Sequence, residues 1–296
     1  MPDSLPPSLR ELYPFKSRFV TLRGGEKMHY VDEGEGNLVL FLHDIPLWSF
    51  YFRNLIDDLQ KNFRCLAPDY IGFGLSSKPE NIDYSLRTIA DDIQNFLKEL
   101  NVGKFNLVLH GWGGVPGMVV AARWPERVNR IVLLNANCFM GYRMPLLHSL
   151  FRYGSIGDLA VNFFNGPARC SAYSASIGSR SRAGYLYPYD TWSSRIPTRI
   201  FFDNLPTNGK RGIGRWLQDE AEKMAILSRK KSIAFWGAKD RVFPLSLADR
   251  WKEYLEELKV HELHDSGRYA LEDDYETILP LLRRFLMAGV EIKLPL

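Results

Sequence analysis

Residues 105–123 constrain the fold of this chain more than any other stretch. A short apolar run, Phe105 to Leu109, turns sharply at His110-Gly111-Trp112 and passes through Gly113 and Gly114 into a helix of small residues, Gly117 to Arg123. A strand, a tight turn and a helix in that order are the setting of a nucleophile elbow, where one strained residue is held over a sheet. The residue at the tip is Gly111, which has no side chain and attacks nothing.

The rest of the chain supplies a sheet for that unit. Phe19–Leu22 and Met28–Val31 read as a hairpin around Gly24-Gly25. Leu38–His43 is a continuous apolar run suited to a strand covered on both faces. A helix over Phe52–Leu59, a strand over Arg64–Ala67, an amphipathic helix over Thr88–Leu100 and a strand over Arg130–Leu134 follow. Strands alternating with helices in this way predict an α/β fold with a mostly parallel sheet. The rhythm stops between about 138 and 228, an aromatic, helical-looking stretch, and resumes with Lys231–Trp236, a helix from about Leu245 to Leu258, Val260–Leu263 and a final helix, Tyr275–Met287. The expected organisation is a core of 1–137 and 229–296 with a helical cap at 138–228. Ligands of open α/β sheets lie beyond the carboxyl ends of the strands, so the cap should roof the site. The apolar Leu146–Phe164 stretch is expected to be a cap helix packed on the core.

Charge excludes some roles. A net charge of +4 and basic clusters no denser than Lys210-Arg211 to Arg215 and Arg229-Lys230-Lys231 give no stripe for tracking phosphates, so no nucleic-acid partner is expected. No run approaches a membrane-spanning length. The first residues, Met-Pro-Asp-Ser-Leu-Pro-Pro, lack the apolar core of a signal peptide. Cys65, Cys138 and Cys170 are few and scattered, without metal-ligand spacing, which suits a reduced, cytoplasmic protein with no metal or other cofactor.

Four segments together resemble the haloalkane dehalogenase-like branch of the α/β-hydrolase family. They are His43-Asp44-Ile45-Pro46-Leu47-Trp48-Ser49-Phe50, the run from Pro68-Asp69-Tyr70-Ile71-Gly72-Phe73-Gly74 to Pro79, the elbow, and Ser266-Gly267-Arg268-Tyr269-Ala270-Leu271-Glu272-Asp273. The stretch Tyr187-Pro188-Tyr189-Asp190-Thr191-Trp192 with Arg195-Ile196 looks most like the β-lactone decarboxylases of bacterial olefin biosynthesis. The resemblance implies an α/β-hydrolase fold whose elbow aspartate attacks carbon, whose histidine activates water against the resulting ester, and whose second carboxylate orients the histidine. Here Gly111 stands at the nucleophile position and Arg268 at the histidine position, and only the acid is kept, as Asp240. Asp44 replaces a glycine of the family's His-Gly-Asn-Pro turn, and Ile45 replaces the asparagine that helps hold a leaving halide. Trp112 matches the family's indole donor.

Each replacement admits more than one role. Glycine adopts positive φ freely, so Gly111 relieves the elbow's strain; it would equally let a ligand atom approach the backbone amides. A guanidinium stays protonated and cannot be a general base. Arg268 would instead join an Asp44–Arg268–Asp240 charge cluster, or extend to solvent. His43 and His110 are expected to bond loop backbone, which leaves His264 as the one substitute base. Asp44 as a relocated nucleophile lacks the elbow geometry. These features favour a family member without the family's hydrolytic chemistry, whose apolar pocket, lined by Asp44, Ile45, Trp48, Trp112 and the cap, takes a small apolar or acyl ligand; a protein partner is also compatible. A lyase or cyclase using the backbone amides after Ile45 and Gly111 as an oxyanion hole, or a hydrolase with relocated residues, are the alternatives.

Overall fold

A computed structural model describes residues 5–139, 149–152, 154–174, 177–205 and 211–288. Lys210 and the beginning of the Leu146–Phe164 run lie outside the described residues. The hairpin forms from β1 (Arg18–Thr21) and β2 (Lys27–Glu33), which pair antiparallel. With β3 (Leu38–Leu42), β4 (Arg64–Pro68), β5 (Phe105–His110), β6 (Val128–Leu134), β7 (Lys231–Gly237) and β8 (Leu258–Leu263) they make one sheet in the order β1-β2-β4-β3-β5-β6-β7-β8. β2 and β4 are antiparallel, and every pair from β4 to β8 is parallel. The mostly parallel sheet expected from the alternation is therefore the observed one.

Every residue of β3 and β5 is buried. Their side chains divide by the two-residue period of a strand: Leu38, Leu40 and Leu42 join the core beneath the helices Leu86–Glu99 and Gly114–Arg123. Val39 and Phe41 join the opposite core with the helices Arg53–Leu59 and Tyr275–Met287. The chain runs from β3 out to β4 and then crosses to β5 on β3's other side, so the strand order reverses between β3 and β5. The crevice beyond that reversal is the usual ligand position in such sheets; Gly111 follows β5 directly and Asp44 lies two residues beyond β3.

Two expectations about helices are corrected. The helix after β7 is Ser246–Lys252 rather than 245–258, because turns over Glu253–Leu255 release the chain early into β8. The Leu146–Phe164 stretch is not one helix against the core. Its described part is a turn at Leu150–Arg152, a helix at Gly154–Asp158 and a wider turn at Leu159–Phe163. Phe151 is buried, while Ile156, Leu159, Phe163 and Phe164 are exposed.

Between β6 and β7 the described residues form helices and turns and no strand. This insertion is tied to the sheet by specific bonds. The Trp48 indole donates to the Gly184 carbonyl at 3.0 Å, and Tyr189 donates its hydroxyl to the Leu47 carbonyl and accepts from the Gly74 amide. The Pro68–Pro79 run has a structural role. Asp69 accepts the Ser49 and Leu75 amides at 2.8 Å and pairs with His29 at 2.8 Å. Gly74, at φ +53°, has no room for a Cβ, which would lie 2.3 Å from Asp69 Oδ2. No helix among the described residues is long and apolar enough to cross a membrane.

Candidate functional site

Gly111 takes the tip of the turn after β5 with φ +55°, a conformation that glycine adopts without penalty. A Cβ built there would lie 2.1 Å from Cγ and 2.2 Å from Oδ1 of Asp44. The Asp44 carboxylate, reaching across from the turn after β3, thus fills the space into which an elbow side chain would project. Its Oδ1 accepts the Trp112 amide at 2.8 Å.

Arg268 holds the other oxygen. Its Nε and Nη2 both donate to Asp44 Oδ2, at 2.8 and 2.5 Å, and its guanidinium lies 4.1 Å from the centre of the Phe243 ring. The side chains are 10% and 2% exposed, so Arg268 does not extend to solvent. Burial works against the cation, yet Asp44 beside it holds the Arg268 pKa above its ordinary value. The loop carrying Arg268 is anchored by a second buried ion pair: Arg53 grips both oxygens of Glu272, and Tyr185 of the insertion donates to the same carboxylate.

Asp240 is not the ion-pair partner that the three-residue cluster required. Its Oδ1 accepts the Val242 and Phe243 amides at 2.7 and 2.9 Å, and its Oδ2 accepts Asn135 Nδ2 at 3.0 Å. The turn after β7 and Asn135 at the end of β6 satisfy this carboxylate without a cation. Burial pushes its carboxyl up to about 6, against the Arg268 charge and these bonds, which pull it down. Arg268 acts on Asp240 through space, and the fork goes to Asp44 alone.

The three candidate histidines, His43, His110 and His264, are not placed as bases. His43 Nδ1 donates to the Asp44 carbonyl and its Nε2 accepts the Tyr70 amide, so both ring nitrogens are engaged. His110 Nε2 donates to the Arg268 carbonyl at 3.0 Å, and burial lowers its pKa to about 4. His264 is 81% exposed and sits against Glu262, away from the site.

A cavity of about 280 Å³ opens here. The core contributes Asp44, Ile45, Trp112, Asp240, Val242, Arg268 and Tyr269, and the insertion contributes Phe151, Pro167, Cys170, Ser171, Ser174 and Phe202. Trp48, expected in the lining, is absent from it. Its ring packs on Tyr13 and Phe50 and its N–H is spent on Gly184, so it fastens the insertion instead. The oxyanion-hole expectation also needs correction: the residue after Ile45 is Pro46, which has no N–H, and the amide after Gly111 already holds Asp44. Sequence reasoning missed the lining residues of the insertion, whose helices carry no motif. Tyr269 and Val242 adjoin motif residues and were within reach. Of the thiol and hydroxyl groups in the described lining, burial raises the Cys170 thiol, and Ser171 donates to the Pro167 carbonyl.

A parallel sheet with an elbow after β5, an acid after β7 and a helical insertion over the strand ends defines the α/β-hydrolase class, and the sequence profile of the α/β hydrolase fold matches residues 37–275. A cis-3-alkyl-4-alkyloxetan-2-one decarboxylase of Shewanella oneidensis is 34% identical over 94% of this chain and 90% of its own length. A haloalkane dehalogenase of Mycolicibacterium paratuberculosis is 29% identical over 81% of this chain and 82% of its own. The crystal structure of a haloalkane dehalogenase from Agrobacterium tumefaciens shares the fold at a TM-score of 0.83 and 22% identity, covering 92% of this chain and 96% of that one. The chain belongs to the haloalkane dehalogenase-like α/β-hydrolase family.

Proposed function

We propose that this chain is a non-hydrolysing member of its family that binds a small apolar or acyl molecule in the cavity, with 138–228 as cap over a core of 1–137 and 229–296. One observation carries the reading: the Asp44 carboxylate occupies the elbow side-chain space and is bound at both oxygens, by the Trp112 amide and by the Arg268 fork. Two-step ester chemistry needs a carboxylate free to attack and a base with an available lone pair to activate water. A carboxylate paired with a buried guanidinium is a weak nucleophile, and arginine at the base position accepts no proton. What persists is a largely apolar cavity, the ordinary form of a small-molecule site.

The test is thermal unfolding with long-chain β-lactones and fatty acyl compounds, combined with quantification of the compound afterwards. A binding protein unfolds at a temperature that rises with ligand concentration and returns the compound intact. Consumption of the compound would overturn the reading.

A second reading draws on the same carboxylate. Because Asp44 lies where an elbow side chain would project, it would itself be the attacking group of a relocated hydrolase. Turnover by the native protein that disappears in Asp44→Asn would select that reading.

A further inference from the structure

Arginine carries five N–H donors in a planar fork, and Arg268 commits few of them. Its Nε and Nη2 go to a single oxygen of Asp44, and Nη1 makes no hydrogen bond with any described residue. The side chain is nine-tenths buried and borders the cavity. Phe243 against one face of the guanidinium and Asp44 along one edge fix its plane, so the remaining edge is a preset donor. Ile45, Phe151, Phe202 and Val242 supply apolar wall around it, and the Trp112 indole borders the same space.

We infer that the polar end of the ligand is a neutral carbonyl oxygen, as in an ester or a lactone, received by Nη1 of Arg268. This rests on the binding reading above and adds the ligand's chemical class. A donor confined to an apolar cavity favours a ligand that brings an acceptor, because an analogue without one leaves the donor dehydrated and unpaired. An anionic acceptor is disfavoured by the local charge. Asp44 already neutralises Arg268, and the Asp240 carboxylate borders the same cavity. Lys239, also in the lining, is 61% exposed and paired with Asp265, and Arg241 is exposed, so solvent screens both. A fatty carboxylate would therefore meet the Asp44 and Asp240 carboxylates inside the cavity, with the other cations out in solvent, whereas an ester adds no charge. The serine hydroxyls do not compete as donors: Ser171 donates to the Pro167 carbonyl and Ser174 to the Cys170 carbonyl within their own helix.

Calorimetric titration of the native protein with methyl octanoate, octanoate and chlorooctane separates these cases. Methyl octanoate should bind at least about tenfold more tightly than the other two, the effect of one hydrogen bond from a charged donor. Arg268→Lys keeps a cation beside Asp44 and removes the second fork nitrogen. It should abolish most of the ester's advantage over chlorooctane. Equal binding of all three compounds, or tightest binding of octanoate, overturns the inference while the binding reading stands. Binding of none of them, or release of methanol or chloride, overturns the binding reading itself. If Arg268→Lys does not fold, the order of the three native affinities decides alone.

Discussion

Asp240 and Asp44 are both nearly buried carboxylates on the wall of one cavity, 5% and 1% exposed, and they are satisfied in opposite ways. Asp240 takes its hydrogen bonds from its own turn and from Asn135 just past the neighbouring strand β6. Asp44 takes one amide from the elbow after β5 and two donors from the side chain of Arg268, 224 residues away in sequence. The first arrangement is a property of the scaffold and is indifferent to what faces it. The second binds three loops into one unit. Gly111 cannot gain a side chain while Asp44 is in place, and Asp44 has no charge partner if Arg268 is removed.

The comparison breaks most sharply at Arg268. Arg268→Ala leaves Asp44 buried without its cation and should cost about 3–5 kcal/mol, the usual penalty for removing one partner of a buried pair. Urea unfolding measures it, and a loss within error of zero would mean that the pair does not hold this end of the site. The double variant Asp44→Asn with Arg268→Met removes both charges and should be clearly more stable than Arg268→Ala.

Gly111→Ala comes next. A side chain at a positive φ costs about 1–3 kcal/mol, and here its Cβ also overlaps Asp44. In an Asp44→Gly background only the backbone part should remain. A double-mutant cycle should therefore return a coupling of about 1 kcal/mol or more, and strict additivity would contradict the overlap.

The smallest effect belongs to Asp240. Asp240→Asn puts an amide donor in place of the oxygen that accepts from Asn135 Nδ2, and should cost about 1 kcal/mol with no coupling to Arg268→Lys beyond long-range charge. Its signature is in pH dependence. The folded carboxyl is raised to about 6 from an ordinary 3.8, so the folded state holds this proton more tightly than the unfolded chain. The associated stability is fully present below about pH 4 and is lost as pH rises through about 6. His110 works the other way in the same range: lowered to about 4, it contributes stability that is present above its unfolded value near 6.5 and is lost as pH falls through about 4. Thermal scans between pH 4 and 6 should therefore rise more steeply with pH in Asp240→Asn than in the native protein. An unchanged slope would remove Asp240 from the titration.

Much of this was legible in the sequence, and the failures have physical causes. The alternation of strands and helices led to the sheet, and the turns after β3 and β5 placed Asp44 beside Gly111, because adjacent parallel strands end side by side. A glycine at the elbow tip and an arginine at the family's histidine position could be read at Gly111 and Arg268 because the surrounding motifs are intact. Which acid Arg268 would grip could not be read: a long side chain reaches either, and the choice follows from Asp240 being already saturated by amides. Trp48 was misplaced because an aromatic residue on a loop at the strand ends can face the cavity or the insertion, and only the Gly184 carbonyl across the chain decides. The insertion's share of the lining had no signal, since its helices are irregular and one of its apolar faces is exposed.

The central claim is that the Asp44–Arg268 pair stands in the place of the hydrolytic machinery. It is tested most directly by measuring halide release and lactone decarboxylation in three proteins: the native chain, Gly111→Asp with Arg268→His, and the same pair with Asp44→Gly. The native chain should release nothing. The double variant should do little better, since Asp44 still fills the elbow space, and the triple variant should gain measurable turnover. Turnover by the native chain, or a double variant as active as the triple, would contradict the claim.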